Sequence, residues 1–153
     1  LGMIKEVVKE RNIHTLWFEA HFMYRKQLAK FAEQFDGVEV KFRCGVESFD
    51  GQLREQWKKG VAANVTVADV AKHFQGVCLL CCTKGDTKER ILRDIALAEQ
   101  YFEYASVNVF CENSTSVKRD NDLAKWFVEE VYPTLKQSKK IEILINNTDL
   151  GVG

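Results

Sequence analysis

The chain has 153 residues, of which 46% are apolar and 29% charged, with one proline and nine glycines. That balance excludes a disordered or fibrous polymer and fits one compact α/β-sized domain. Twenty-two lysines and arginines meet twenty-two aspartates and glutamates, so no net positive field favours nucleic acid or an anionic membrane as partner.

No apolar run nears the roughly 20 residues of a membrane span, and no basic segment leads into an apolar signal region, which argues for a cytoplasmic protein. The five cysteines, Cys44, Cys78, Cys81, Cys82 and Cys111, are an odd set lying in apolar runs, as reduced intracellular thiols do. The Asn-x-Ser/Thr matches at Asn64, Asn113 and Asn146 carry no weight without a secretory signal.

Residues 3 to 11 hold the helical period, with Ile4, Val7 and Val8 on one face. Strands are predicted at His14 to Phe18, Val38 to Phe42, Val77 to Cys82, Val107 to Phe110 and Ile141 to Ile145, each rich in β-branched, aromatic or other apolar residues. Between them helical stripes are predicted over Met23 to Phe35, Asp50 to Lys59, Thr66 to Phe74, Thr87 to Phe102 and Asn121 to Leu135. Strand and helix in alternation imply parallel pairing with right-handed crossovers. Two architectures satisfy the pattern: part of a TIM-type barrel, or an open flavodoxin-like sheet. A chain opening inside a helix and stopping soon after a strand is expected to be a fragment cut at both ends, whose exposed sheet edge pairs two copies as a dimer. The contrary expectation is a complete small domain whose last strand lies at a sheet edge.

Either architecture gathers chemistry at the carboxyl ends of the strands, where βα loops and helix N-termini meet. Those positions are Glu19 and His21, then Cys44 to Ser48, Thr83 to Asp86, Glu112 to Ser116, and Asn146 to Asp149. So polar a rim suits a polar small molecule. Cys78, Cys81 and Cys82 invite a metal reading, but in an extended strand Cys78 and Cys82 face one side and Cys81 the other. Packed thiols in an apolar run are the plainer expectation, and no metal site is assigned. His21, beside Glu19 at a strand end, suits acid–base work or a ligand role, with an ordinary hydrogen-bonded histidine as the alternative. Neither His14 nor His73 needs a functional explanation.

The segment Cys44-Gly-Val-Glu-Ser-Phe-Asp50 ends a strand in a glycine and a carboxylate, with Ser48 or Asp50 as the N-cap of the next helix. Glu47 there suits a ribose diol, or else the amides of that helix start. Thr83-Lys-Gly-Asp-Thr87 is a second such turn, with Asp86 or Thr87 as N-cap, and it lacks the glycine spacing and Lys-Ser/Thr pair of a P-loop.

Taken in order, these turns resemble the radical S-adenosylmethionine enzymes, in the part of their barrel that follows its first strand. Gly45-Val-Glu-Ser-Phe-Asp-Gly-Gln-Leu53 is similar to the family's strand-to-helix turn, and Lys59-Gly60 falls where many members meet the methionine carboxylate. Val77-Cys-Leu-Leu-Cys-Cys-Thr-Lys-Gly-Asp-Thr87 is similar to a later strand and turn, and Ile13 to Leu28 has the shape of the second strand and its helix, with Glu19-Ala-His21 where glycines and a glutamate are usual. The hallmark C-x-x-x-C-x-x-C loop does not occur, and Cys82 stands where a glycine is usual.

The resemblance implies a parent enzyme that binds a 4Fe-4S cluster and S-adenosylmethionine and generates a 5′-deoxyadenosyl radical, with these residues alone inactive. It places Glu47 on the ribose hydroxyls, Lys59 on the carboxylate, Cys82 to Gly85 on the adenine, and Glu19 and His21 in the remaining cofactor contacts. An unknown small-molecule or peptide substrate would lie near Glu112, Asn113, Asn146, Asn147 and Asp149. Two other readings stand beside it: a small α/β domain binding a nucleotide or phosphate ligand, and a cluster-free scaffold.

Overall fold

The computed structural model describes residues 1–146 of the chain. Helix α1 (Gly2–Glu10) precedes β1 (Thr15–Glu19), which is followed by a 3-10 turn (Phe22–Tyr24) and α2 (Leu28–Ala32). Strand β2 (Glu39–Glu47) leads to α3 (Gly51–Gln56) and α4 (Val67–Ala71), and β3 (Gly76–Cys81) to α5 (Lys88–Tyr101). Strand β4 (Tyr104–Val109) leads to α6 (Asn121–Trp126) and α7 (Tyr132–Leu135), and β5 (Ile141–Leu144) ends the described elements.

All neighbouring strands are parallel, and their spatial order β1-β2-β3-β4-β5 is the chain order. An open doubly wound sheet must reverse direction beside its first strand, whereas sequential order with right-handed crossovers keeps every helix on one face. The flavodoxin-like alternative is therefore excluded. Curvature is visible in the side chains. Strands lie about 4.8 Å apart, so β1 and β4 of a flat sheet would be roughly 14 Å apart, yet the rings of Trp17 and Tyr104 are 5.7 Å apart. They meet over Gly76 of β3, where a Cβ would sit 3.0 Å from Trp17 Cζ3 and 3.0 Å from the Tyr104 carbonyl oxygen. The five strands form a half-barrel.

The outer face holds the core. Phe18 meets Phe31 at 5.1 Å and Phe35 at 5.6 Å, and Val77, Leu79, Ala105, Val107 and Ile141 are buried with Ile91, Ile95 and Ala98 of α5. Register places Trp17, Glu19, Lys41, Arg43, Gly76, Cys78, Tyr104, Ser106 and Glu142 on the concave face. That face is polar and ion-paired, with Lys41 Nζ 2.6 Å from Glu103 Oε2.

Several boundaries differ from the periodicity. Strand β2 runs to Glu47 instead of stopping at Phe42, because a register shift between Cys44 and Glu47 keeps it paired with β3 through the glycine-containing turn. The stripe over Met23 to Phe35 is a 3-10 turn and a short helix, since His21 takes the Met23 N–H as the cap of the former. Asn121 to Leu135 is interrupted by a π-helical turn (Phe127–Val131) just before Pro133, whose missing N–H cannot continue the ladder. Among the described residues no helix is long and apolar enough to cross a membrane.

Candidate functional site

Glu19 ends β1 on the concave face beside its register partner Arg43, whose Nε is 3.3 Å from Glu19 Oε2. The Cys78 thiol donates to the same oxygen at 3.9 Å. Burial pushes Cys78 up to about 11 and Cys44 up to about 12, so both stay protonated thiols at neutral pH.

Glu47 ends β2 in the left-handed region, φ 66°, and its carboxylate is 3.0 Å from Lys59 Nζ with only 16% of the side chain exposed. Burial raises its pKa, and the Lys59 ammonium works in the opposite direction. At Gly45 a Cβ would lie 3.5 Å from Glu19 Oε1 and 3.9 Å from Glu47 Oε1. The missing side chain leaves Glu19 and Glu47 facing each other across one glycine, an acceptor-rich setting that suits hydroxyl and ammonium donors, with Arg43 and Lys59 as the flanking cations.

Lys59 is brought there by its loop. Asp50 caps α3 by accepting from the Leu53 N–H at 3.0 Å, the helix ends at Gln56, and Lys58 (φ 53°) and Gly60 (φ 65°) turn the chain back. His21 Nδ1 accepts the Met23 N–H at 3.1 Å, so the proton is on Nε2, which donates to the Lys59 carbonyl at 2.8 Å. In this structure both ring nitrogens of His21 hold backbone, and the side chain orients the Lys59 loop.

Beyond β3, Cys82 is fully buried with φ 69°. Its N–H donates to Asp86 Oδ2 at 2.9 Å and its carbonyl accepts from the Asp120 N–H at 2.9 Å. The positive φ also turns its thiol to within 3.6 Å of Cys81, away from the Cys78 side that simple strand alternation predicts. Thr87 is the N-cap of α5, accepting from the Arg90 N–H. Thr83 is buried, and its hydroxyl has no hydrogen-bond partner among the described residues.

The other rim residues lie farther along the sheet. Glu112 accepts from the Arg119 N–H at 3.4 Å, and Asn113 Oδ1 accepts from the Thr115 N–H at 2.9 Å in a local turn. Asn146 is exposed, and Asn147 and Asp149 lie outside the described residues. Among the described residues no group of three His, Cys, Asp or Glu side chains is placed to share a metal ion. Residues important to the site but unmarked by any motif are Arg54, Arg90 and Asp94. Their Asp86, Arg90, Asp94 spacing of four reads in sequence as ordinary surface ion pairs on a helix.

No protein-family model matches the chain, and no curated protein matches it. Among solved structures, queuine lyase from Clostridium spiroforme bound to SAM and queuine matches with a TM-score of 0.88 and 34% identity, over 99% of this chain and 65% of that one. The chain thus spans just under two thirds of that enzyme's length. At this identity the two share more than an outline, and the chain is a partial radical S-adenosylmethionine barrel.

Proposed function

We propose that the chain is the cofactor-cradling part of a radical S-adenosylmethionine enzyme whose complete form acts on queuine or a base of the same class. The observation that carries this is the half-buried Glu47–Lys59 pair at the carboxyl end of β2, beside Gly45, which puts no side chain between Glu47 and Glu19. The substrate class is supported by the likeness to a queuine lyase.

Glu47 accepts from the two ribose hydroxyls, which donate to its carboxylate in place of water. Lys59 is shared between that carboxylate and the methionine carboxylate. Glu19 receives the methionine ammonium, His21 keeps the Lys59 loop in place, and the turn from Cys82 to Gly85 meets the adenine. Glu112, Asn113 and Asn146, with Asn147 and Asp149, form the substrate side of the rim. When bound to a reducing cluster, S-adenosylmethionine supplies a radical that abstracts hydrogen from substrate. The donor set of a 4Fe-4S cluster is not among these residues, so the chain binds and orients, and taken alone it is inactive in the radical step.

In the full-length protein, Glu47→Ala should weaken S-adenosylmethionine binding roughly thirtyfold, about 2 kcal/mol for the loss of charge-assisted hydrogen bonds. Calorimetric titration reads this directly, and an unaltered affinity would remove Glu47 from the site. Titration with queuine in the same cell tests the substrate class.

The pH dependence has a definite sign. Hydroxyl donors bind the ionised form, so affinity is full above the raised pKa of Glu47 and falls as pH drops through it. The group's own contribution to folding runs the other way: a raised folded pKa adds stability below the unfolded value, and that stability is lost as pH rises through the folded one. Affinity and the stability difference between wild type and Glu47→Gln should therefore change in opposite directions over the same acidic interval. Lys59→Met should move both to higher pH. A flat affinity profile across that interval would contradict the assignment.

A further inference from the structure

Helix α5 carries a ladder, Asp86 at its approach and then Arg90 and Asp94, that reaches both the turn after Glu47 and the turn at Cys82. The Asp94 side chain is 1% exposed, Arg90 is 7% exposed and the Asp86 side chain is fully buried. Asp94 Oδ2 accepts from the Ser48 hydroxyl at 2.6 Å and from the Phe49 N–H at 3.2 Å, immediately after Glu47. Asp86 holds the Cys82 N–H at 2.9 Å. Arg90 joins the two carboxylates: Nε donates to Asp86 Oδ1 at 2.7 Å, Nη2 donates to Asp86 Oδ2, and Nη1 donates to Asp94 Oδ2 at 3.0 Å. Its Nη2 also donates to the Leu80 carbonyl at 3.1 Å, inside β3.

Asp86 thus holds the N–H of Cys82 itself, and Asp94 holds the Ser48 hydroxyl and the Phe49 N–H just after Glu47, both turns containing a non-glycine residue of positive φ, Glu47 at 66° and Cys82 at 69°. Such conformations persist only where the surroundings over-determine them. One guanidinium fork between two fully desolvated carboxylates is a rigid link, because breaking either pair strands a buried charge.

We propose that Asp86, Arg90 and Asp94 form a positioning relay that sets the ribose-side turn at Glu47 against the adenine-side turn at Cys82, so that cofactor affinity is governed by residues that do not touch the cofactor. This rests on the cofactor reading above. A relay of this kind couples its two ends: loosening Asp94 changes the setting of Cys82, and loosening Asp86 changes that of Glu47.

The test compares S-adenosylmethionine affinity with thermal stability in the full-length protein for Arg90→Gln and Asp94→Asn. The control is Phe127→Leu, a fully buried substitution on the π-helical turn after α6. The relay variants should bind about tenfold more weakly than wild type, while the control, at a similar loss of melting temperature, binds as wild type does. Glu47→Ala combined with Asp94→Asn should weaken binding by less than the product of the single effects. Relay variants that match the control overturn the proposal while the cofactor reading stands. A wild-type protein that does not bind, or binding untouched by Glu47→Ala, overturns the cofactor reading and the relay with it. Should Arg90→Gln and Asp94→Asn fail to fold, Ser48→Ala decides, since it strands no charge and removes only the bond to Asp94 and the one that Ser48 Oγ accepts from the Asp50 N–H at 3.0 Å: about threefold weaker binding supports the relay, and unchanged binding overturns it.

Discussion

Replacing Arg54 with methionine should cost about 4 kcal/mol of folding stability, read as a lowered urea midpoint with an unchanged slope. Arg54 is fully buried, and its partners are backbone carbonyls: Ser48 at 3.1 Å, Ala62 at 2.8 Å, Val65 at 2.9 Å and Ala63 at 3.4 Å. Burial draws its pKa down, with Asp94 and Asp50 opposing. Methionine fills much of the space and removes a buried cation, which recovers part of the loss. It leaves several carbonyls without donors, and each orphan costs about 1–3 kcal/mol. The exposed Arg11, at the end of α1, gives the comparison, since Arg11→Met should stay within about 0.5 kcal/mol. Equal losses in the two variants would mean that the carbonyl cluster does not need its cation. Because Arg54 ties the turn after Glu47 to the 62–65 segment, the same substitution should also weaken cofactor binding through the Lys59 loop.

Gly51→Ala should lose about 3 kcal/mol, against a helix propensity that favours alanine by about 1 kcal/mol. Gly51 is the first residue of α3 and has no unusual φ, so conformational freedom is not what it supplies. It supplies closeness. A Cβ there would fall 2.3 Å from the Ala63 carbonyl oxygen, 2.8 Å from Ala63 Cα and 2.9 Å from its carbonyl carbon. All three are backbone atoms that no rotamer change can move, so α3 and the 61–65 segment must separate. That separation lengthens the Arg54 bonds to the same segment, and the two variants combined should lose less than the sum of their single effects. A thermal melt decides: a Gly51→Ala variant as stable as wild type would show that the two backbones do not touch.

Much of this was legible along the chain. Each of the five strands is a local run of apolar residues between turn signals, and Asp50 and Thr87 satisfy N–H groups three residues ahead. Parallel pairing followed from the alternation of strand and helix, and Cys44 to Asp50 was marked by its own local chemistry. These features depend on residues a few positions apart, and one-dimensional order contains them.

Closure of the sheet was not of that kind. Whether β1 lies beside β2 or across the sheet depends on crossovers that leave no period in the sequence, and the curl appears only in pairs such as Trp17 and Tyr104, from strands three places apart. The partner of Glu47 lies beyond a helix, at Lys59. The side on which the Cys82 thiol lies is set by one backbone dihedral held from Asp86 and Asp120. Asp86, Arg90 and Asp94 have the spacing of a solvated ion-pair ladder, and only packing against β3 and the turn after β2 makes them buried. Local order along the chain marks the five strands and the turns with polar chemistry, while tertiary packing sets which of those turns meet and where the helices break, because contacts between distant segments arise from burial and chain crossing, to which local periodicity is blind.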